Sequence, residues 1–115
     1  MPEERRAYER ISASLPINYE TLDTADKKYG TTLSRDISQG GIKILFDRFY
    51  ALKTKFLLKV ELENNHKIFE GIAESVWSVD DTRSNRYYNG LRFIDITKEN
   101  QDILKQYINI QTILV

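Results

Sequence analysis

Cysteine is absent from the sequence. Without it there is no disulfide framework, no thiolate zinc site and no cysteine nucleophile, so the core alone must hold the fold. Histidine occurs once, as His66 beside an expected hairpin turn, which reads as an exposed loop residue and leaves no second imidazole for a metal site. Neither sign of charge is in excess, because 17 Lys and Arg face 17 Asp and Glu. No overall field then draws the chain to a nucleic-acid polymer or an anionic membrane, and any anion site must be local. Long apolar runs are missing too. No stretch approaches the roughly 20 apolar residues of a membrane span, and Met1 to Arg10 is charged where a signal peptide is apolar. The expectation is a soluble, cytoplasmic protein of one domain, since 115 residues suit a single core.

What is present is mostly two-residue alternation. Ile11, Ala13, Leu15, Ile17 and Tyr19 alternate with Ser12, Ser14, Pro16, Asn18 and Glu20, which reads as a half-buried strand with an edge or bulge at Pro16. A polar loop is expected from Asp23 to Gly30. A second strand, Thr31 to Ile37, rests on Leu33 and Ile37 and ends at the turn-forming Ser38, Gly40 and Gly41; Ile42, Ile44 and Phe46 start a third. Phe56, Leu58, Val60 and Leu62 give the clearest strand, followed by a hairpin at Asn64 and Asn65. Lys67 to Val79 has mixed parity, which predicts a bulge near Gly71 or burial of both faces. Asp80 to Arg86 reads as a polar, mobile loop, and Tyr87 to Ile96 as a sixth strand. At Thr97, a fair N-cap, the period changes, and Ile103, Leu104, Tyr107, Ile108 and Ile110 recur at helical spacing. Six short strands and a closing helix point to an all-β barrel or sandwich, with the helix over an open end or a partner surface.

Two groups of residues stand out chemically. Arg5, Arg6 and Arg10 precede the first strand, and an arginine fork can hold a phosphate or the O6 and N7 edge of guanine while stacking on bases. A charged terminus balanced by Glu3, Glu4 and Glu9 is the plain alternative. Asp36, Ser38, Gly40 and Gly41 combine a carboxylate that can accept from guanine N1–H and N2–H₂, a hydroxyl, and glycines that admit close backbone approach. An ordinary Asx or Ser turn is the alternative there. Asp80 and Asp81 read as solvated loop charges rather than an acid and base, so no catalytic residue and no enzyme is expected. Trp77 reads as a core residue lying late in a strand, where it can come near a ligand.

Arg6-Ala7-Tyr8-Glu9-Arg10 fits RxxxR and Asp36-Ile37-Ser38-Gln39-Gly40-Gly41 fits (D/N)xSxxG, and in this order the pair resembles the PilZ domain. Trp77, the Gly90-Leu91-Arg92-Phe93 run and the closing helix extend the resemblance over nearly the whole chain. It implies a six-stranded antiparallel barrel spanning residues 11–115, with a C-terminal helix from about 97, and a flexible arginine arm at residues 1–10. It further implies a receptor or adaptor for the bacterial messenger cyclic di-GMP, with no cofactor and no metal. Arg6 and Arg10 would contact phosphate and guanine, Asp36 the guanine amine edge, Ser38 a phosphate or guanine edge, and Gly41 the turn. Arg5 extends the motif to RRxxxR, which in the family is associated with an intercalated pair of ligands. The arm has too little apolar content to fold alone, so ligand contacts would order it into a clamp that a protein effector of motility, pili or polysaccharide secretion reads. The rival readings are a PilZ-like barrel working only through protein contacts and a barrel binding single-stranded nucleic acid, the latter weakened by zero net charge.

Overall fold

The structure, a computed structural model, describes residues 9–22, 25–62 and 67–114. Seven strands and one helix follow in order: β1 (Ile11–Ser12), β2 (Pro16–Leu22), β3 (Tyr29–Ile37), β4 (Gly41–Phe46), β5 (Lys55–Glu61), β6 (Ile68–Asp81), β7 (Arg86–Asp95) and α1 (Lys98–Leu114). All ladders are antiparallel. Around the sheet β2 pairs β3, β3 pairs β4, β4 pairs β7, β7 pairs β6, β6 pairs β5, and β5 returns to β2. Six strands thus close a barrel, and β1 lies outside it, paired only with β3.

The alternating residues fill the interior. Leu15, Ile17 and Tyr19 from the β2 region, Ile42, Ile44 and Phe46 from β4, and Phe56, Leu58, Val60 and Leu62 from the β5 region are all buried. One end of the core is aromatic: Phe46 stacks on Phe56 with ring centroids 5.2 Å apart, and Tyr19 and Tyr50 meet them edge-on at 4.9 to 5.9 Å. The Tyr50 hydroxyl donates to the Tyr19 hydroxyl at 3.2 Å. Burial, and then this hydrogen bond, raise the Tyr50 pKa well above the usual phenol range.

Several local expectations change. The first strand is split between β1 and β2: Ala13 N–H still donates to the Arg35 carbonyl at 3.2 Å, but from Ala13 to Leu15 the remaining bonds go to Ser34, largely through its side chain. Leu15 N–H donates to Ser34 Oγ at 2.9 Å, Ser34 Oγ donates to the Ala13 carbonyl, and Ser34 N–H donates to the Leu15 carbonyl at 3.0 Å. Pro16 then opens β2, a position where the missing N–H costs least. The expected loop gives up Tyr29 and Gly30 to β3. Leu33, expected to support the core, is 50% exposed, and Ser34 takes the interior position beside it. The polar stretch after Val79 is not a loop throughout, since β6 runs to Asp81 and pairs it with Arg86, leaving only residues 82–85 to turn. The Asn64–Asn65 hairpin, His66 and the arm through Tyr8 lie outside the described residues.

The helix starts as expected. Thr97 Oγ1 accepts from Asn100 N–H at 3.2 Å, which satisfies one free donor of the first turn. Asn100 Oδ1 in turn accepts from Glu70 N–H at 2.8 Å, fixing the helix start on β6. Leu104, Tyr107 and Ile108 are buried against the barrel, where α1 packs on β6 and β1, while Ile110 falls off the stripe and Ile113 is largely exposed. Among the described residues no helix is long and apolar enough to cross a membrane.

Candidate ligand-binding site

The position of Asp36 follows from one extra residue in β3. Ser34 pairs with Ile44 and Asp36 pairs with Lys43, so Arg35 has no opposite number and forms a bulge. In an unbroken strand Asp36 would share the face of Ser34 and point into the core. The bulge reverses the parity: Ser34 and Ile37 are buried, whereas Arg35 and Asp36 both lie on the outer face.

Strand β6 repeats the device. Phe69, Gly71, Ala73 and Ser75 are buried at alternate positions, and the pattern would carry Trp77 inward. Between Ser75, opposite Leu91, and Trp77, opposite Gly90, the extra residue Val76 turns the indole outward. Trp77 is therefore 39% exposed, and the expectation of a core tryptophan is corrected. The bulge expected near Gly71 is likewise at Val76, with a second irregularity opposite Ile72 and Ala73 where β7 carries Ile94 as an extra residue. Gly90 makes room for the indole, since a Cβ there would lie 2.0 Å from Trp77 Nε1.

These two bulges align one row across four strands: Asp36, Lys43, Gly90 and Trp77 on β3, β4, β7 and β6. Lys43 Nζ stands 5.7 Å from the Trp77 ring centroid and 5.2 Å from that of Tyr88, and the Arg35 guanidinium stands 5.6 Å from Tyr88. The neighbouring row is Gly41, Arg92 and Glu74, with Arg92 Nη2 at 3.2 Å from Glu74 Oε1.

Strand β1 brings the first motif to the second. Ser12 pairs with Asp36 and Ile11 with Ile37, which sets the preceding residue, Arg10, beside the carboxylate. Arg10 Nη1 donates to Asp36 Oδ1 at 2.5 Å across 26 residues of sequence. The Arg10 side chain remains 56% exposed and that of Asp36 19%. Arg5 and Arg6 lie outside the described residues.

The turn between β3 and β4 is organised by Ser38. It is buried, and its Oγ accepts from Gly40 N–H and Gly41 N–H, each at 3.2 Å, while its own N–H donates to the Gly41 carbonyl at 2.9 Å. The Gly40 carbonyl accepts from Phe93 N–H at 3.0 Å, tying the turn to β7. Gly41 is needed by the sheet itself: a Cβ would sit 2.4 Å from the Leu91 carbonyl oxygen. A groove of about 550 Å³ lined by Gln39, Gly40, Arg92 and the start of α1 adjoins the turn.

Sequence reading missed Lys43, Tyr88, Arg35 and Arg92 because none belongs to either motif. Their common signal is position, outward-facing on strands that flank the turn, and that became readable only with the register. Together with Arg10 they set four cations against the carboxylates of Asp36 and Glu74, a local positive excess within a chain of zero net charge. Among the described residues no group of acidic or histidine side chains is placed to hold a metal ion.

Known proteins share this arrangement of strands. The inhibitor of motility MotI/DgrA from Bacillus subtilis superposes with a TM-score of 0.75 at 26% identity, over 94% of this chain and 51% of that one. The PilZ domain of YcgR from Escherichia coli, solved with c-di-GMP, gives 0.63 at 23% identity, over 90% of this chain and 88% of that domain. Full YcgR in complex with c-di-GMP gives 0.73 at 21%, over 94% of this chain and 46% of that one. The chain thus spans about half the length of MotI and of full YcgR. No curated protein sequence matches it. A family model for the PilZ domain matches residues 4–109, and with that match, both motifs in its sequence and the barrel in its structure, the chain belongs to the PilZ domain family.

Proposed function

We propose that the chain is a cyclic di-GMP receptor or adaptor that binds its ligand on the outer barrel face, between the RRxxxR arm and the DxSxxG turn. The observation that carries this reading is the contact of Arg10 with Asp36, which joins two motifs 26 residues apart. Released from Arg10, Asp36 can accept from guanine N1–H and N2–H₂, and the freed guanidinium can take a phosphate with paired, charge-assisted bonds. The exchange is inexpensive, because an ion pair this exposed contributes only about 0.2–1 kcal/mol. Arg5 and Arg6 supply further cations from the arm. Ser38, Gly40 and Gly41 hold the turn on which the ligand rests. Trp77, outward-facing beside Lys43, is the adjacent aromatic surface for a base.

Similarity to YcgR structures that contain c-di-GMP supports the choice of ligand. Arg5 supports two molecules per chain, since a guanidinium plane can stack on one guanine while pairing with a second ligand's phosphate. No step of chemistry is assigned, as binding alone would reorder the arm into a surface for a protein partner in the cytoplasm. Similarity to an inhibitor of motility makes the motility machinery the first partner to test, ahead of pili or polysaccharide secretion.

Titration calorimetry with cyclic di-GMP is the direct test. Saturable heat with a stoichiometry near two is expected, and a single-stranded oligonucleotide should not compete. Absence of heat together with unchanged Trp77 fluorescence would move the chain to the non-binding, protein-contact class.

A further inference from the structure

We propose that Lys43 is a phosphate-binding residue of this face, standing outside both sequence motifs; the proposal rests on the cyclic di-GMP reading above. Lys43 occupies the centre of the outer row, with Asp36 opposite it on β3 and Gly90 opposite it on β7. Its cross-strand carboxylate is engaged elsewhere, because Asp36 pairs with Arg10. Among the described residues Lys43 meets no other carboxylate, and its ammonium rests on the faces of Trp77 and Tyr88 at 5.7 and 5.2 Å.

Such a cation is held in place without being neutralised. Ring contacts orient an ammonium but are weaker than a charge-assisted bond to a phosphate oxygen. Lysine also offers three donors on a four-carbon stem, so it can leave the rings for a phosphate without moving the backbone. The row then has a simple chemical order. Arg10 and Lys43 flank Asp36 on opposite sides, and cyclic di-GMP carries two phosphodiesters on either side of its guanines. Asp36 takes a guanine edge, Arg10 one phosphate and Lys43 the other. Departure of the ammonium also uncovers the indole face for a base.

The test is calorimetry at low and high salt on the wild type, Lys43→Met and Lys43→Arg, with Lys59→Met as a control on β5, where Lys59 faces Glu70. Thermal melts establish that each variant is folded. Lys43→Met should bind about tenfold more weakly at low salt, and the gap should narrow at high salt as screening removes the charge term. Lys43→Arg should stay close to wild type, and Lys59→Met should match it. If the wild type binds and Lys43→Met binds equally well, the inference fails while the receptor reading stands. Loss that is equal at both salts and shared by Lys43→Arg makes Lys43 a packing residue and also overturns it. A wild type that does not bind removes the receptor reading, and this inference with it.

Discussion

Arg10 and Asp36 carry different burdens although they form one ion pair. Arg10 is more than half exposed, so its removal should leave folding almost unaffected. In a ligand complex the same guanidinium would make charge-assisted bonds worth about 1.5–3 kcal/mol. Arg10→Ala is therefore expected to lower cyclic di-GMP affinity tenfold or more with little change in melting temperature, as read by calorimetry and thermal denaturation side by side. Loss of both affinity and stability would instead assign Arg10 to anchoring β1. Ser38 and Gly41 belong to the opposite class. The Ser38 hydroxyl accepts two backbone N–H groups of the turn and Gly41 lies against the Leu91 carbonyl, so substitutions there disturb the scaffold before they touch a ligand.

Elements show where sequence reading succeeds and where it stops. Strands β4 and β5 were legible because Ile42, Ile44, Phe46 and Phe56, Leu58, Val60 keep one parity from end to end. The start of α1 was legible because a cap acts locally, through Thr97 and Asn100. Strands β3 and β6 were only half legible, since Arg35 and Val76 are ordinary strand residues and nothing in their chemistry announces a bulge. Parity counted through them places Leu33 and Trp77 inside, and the ladder places both outside. The motifs named Asp36 and Arg10, but Lys43 needed the register. Packing of α1 permits a prediction at this scale. Leu104 is buried where the helix meets the barrel, so Leu104→Ala should cost about 2–5 kcal/mol in urea unfolding. A cost near zero would mean that the helix is not part of the cooperative unit.

For the whole molecule, stability rests on the barrel interior, as the chain has no cysteine for a disulfide and the described residues include no group placed to hold a metal ion. The aromatic end of that interior makes stability depend on alkaline pH. Tyr50 is buried and neutral, with its pKa raised by burial and by the Tyr19 hydrogen bond. In the unfolded chain a tyrosine ionises near pH ~10, so the contribution is complete below that pH and declines as pH rises through and beyond it. Urea unfolding at increasing alkaline pH should therefore show a steeper loss for the wild type than for Tyr50→Phe. Parallel losses would show that Tyr50 ionises freely in the fold.

The paired bulges also bear on how this chain can vary. In an open sheet, a lost residue can be absorbed by sliding an outer strand along its single neighbour. Here β3 and β6 each lie between two partners in a closed ring, and neither can slide. Excision of Arg35 or Val76 would have to be met on the spot, by inverting the remainder of the strand and sending Asp36 or Trp77 toward the interior. Length at these two positions is thus as restrictive as side-chain identity in the motifs, and a related chain one residue shorter at either point would keep the motif letters while losing the surface they serve.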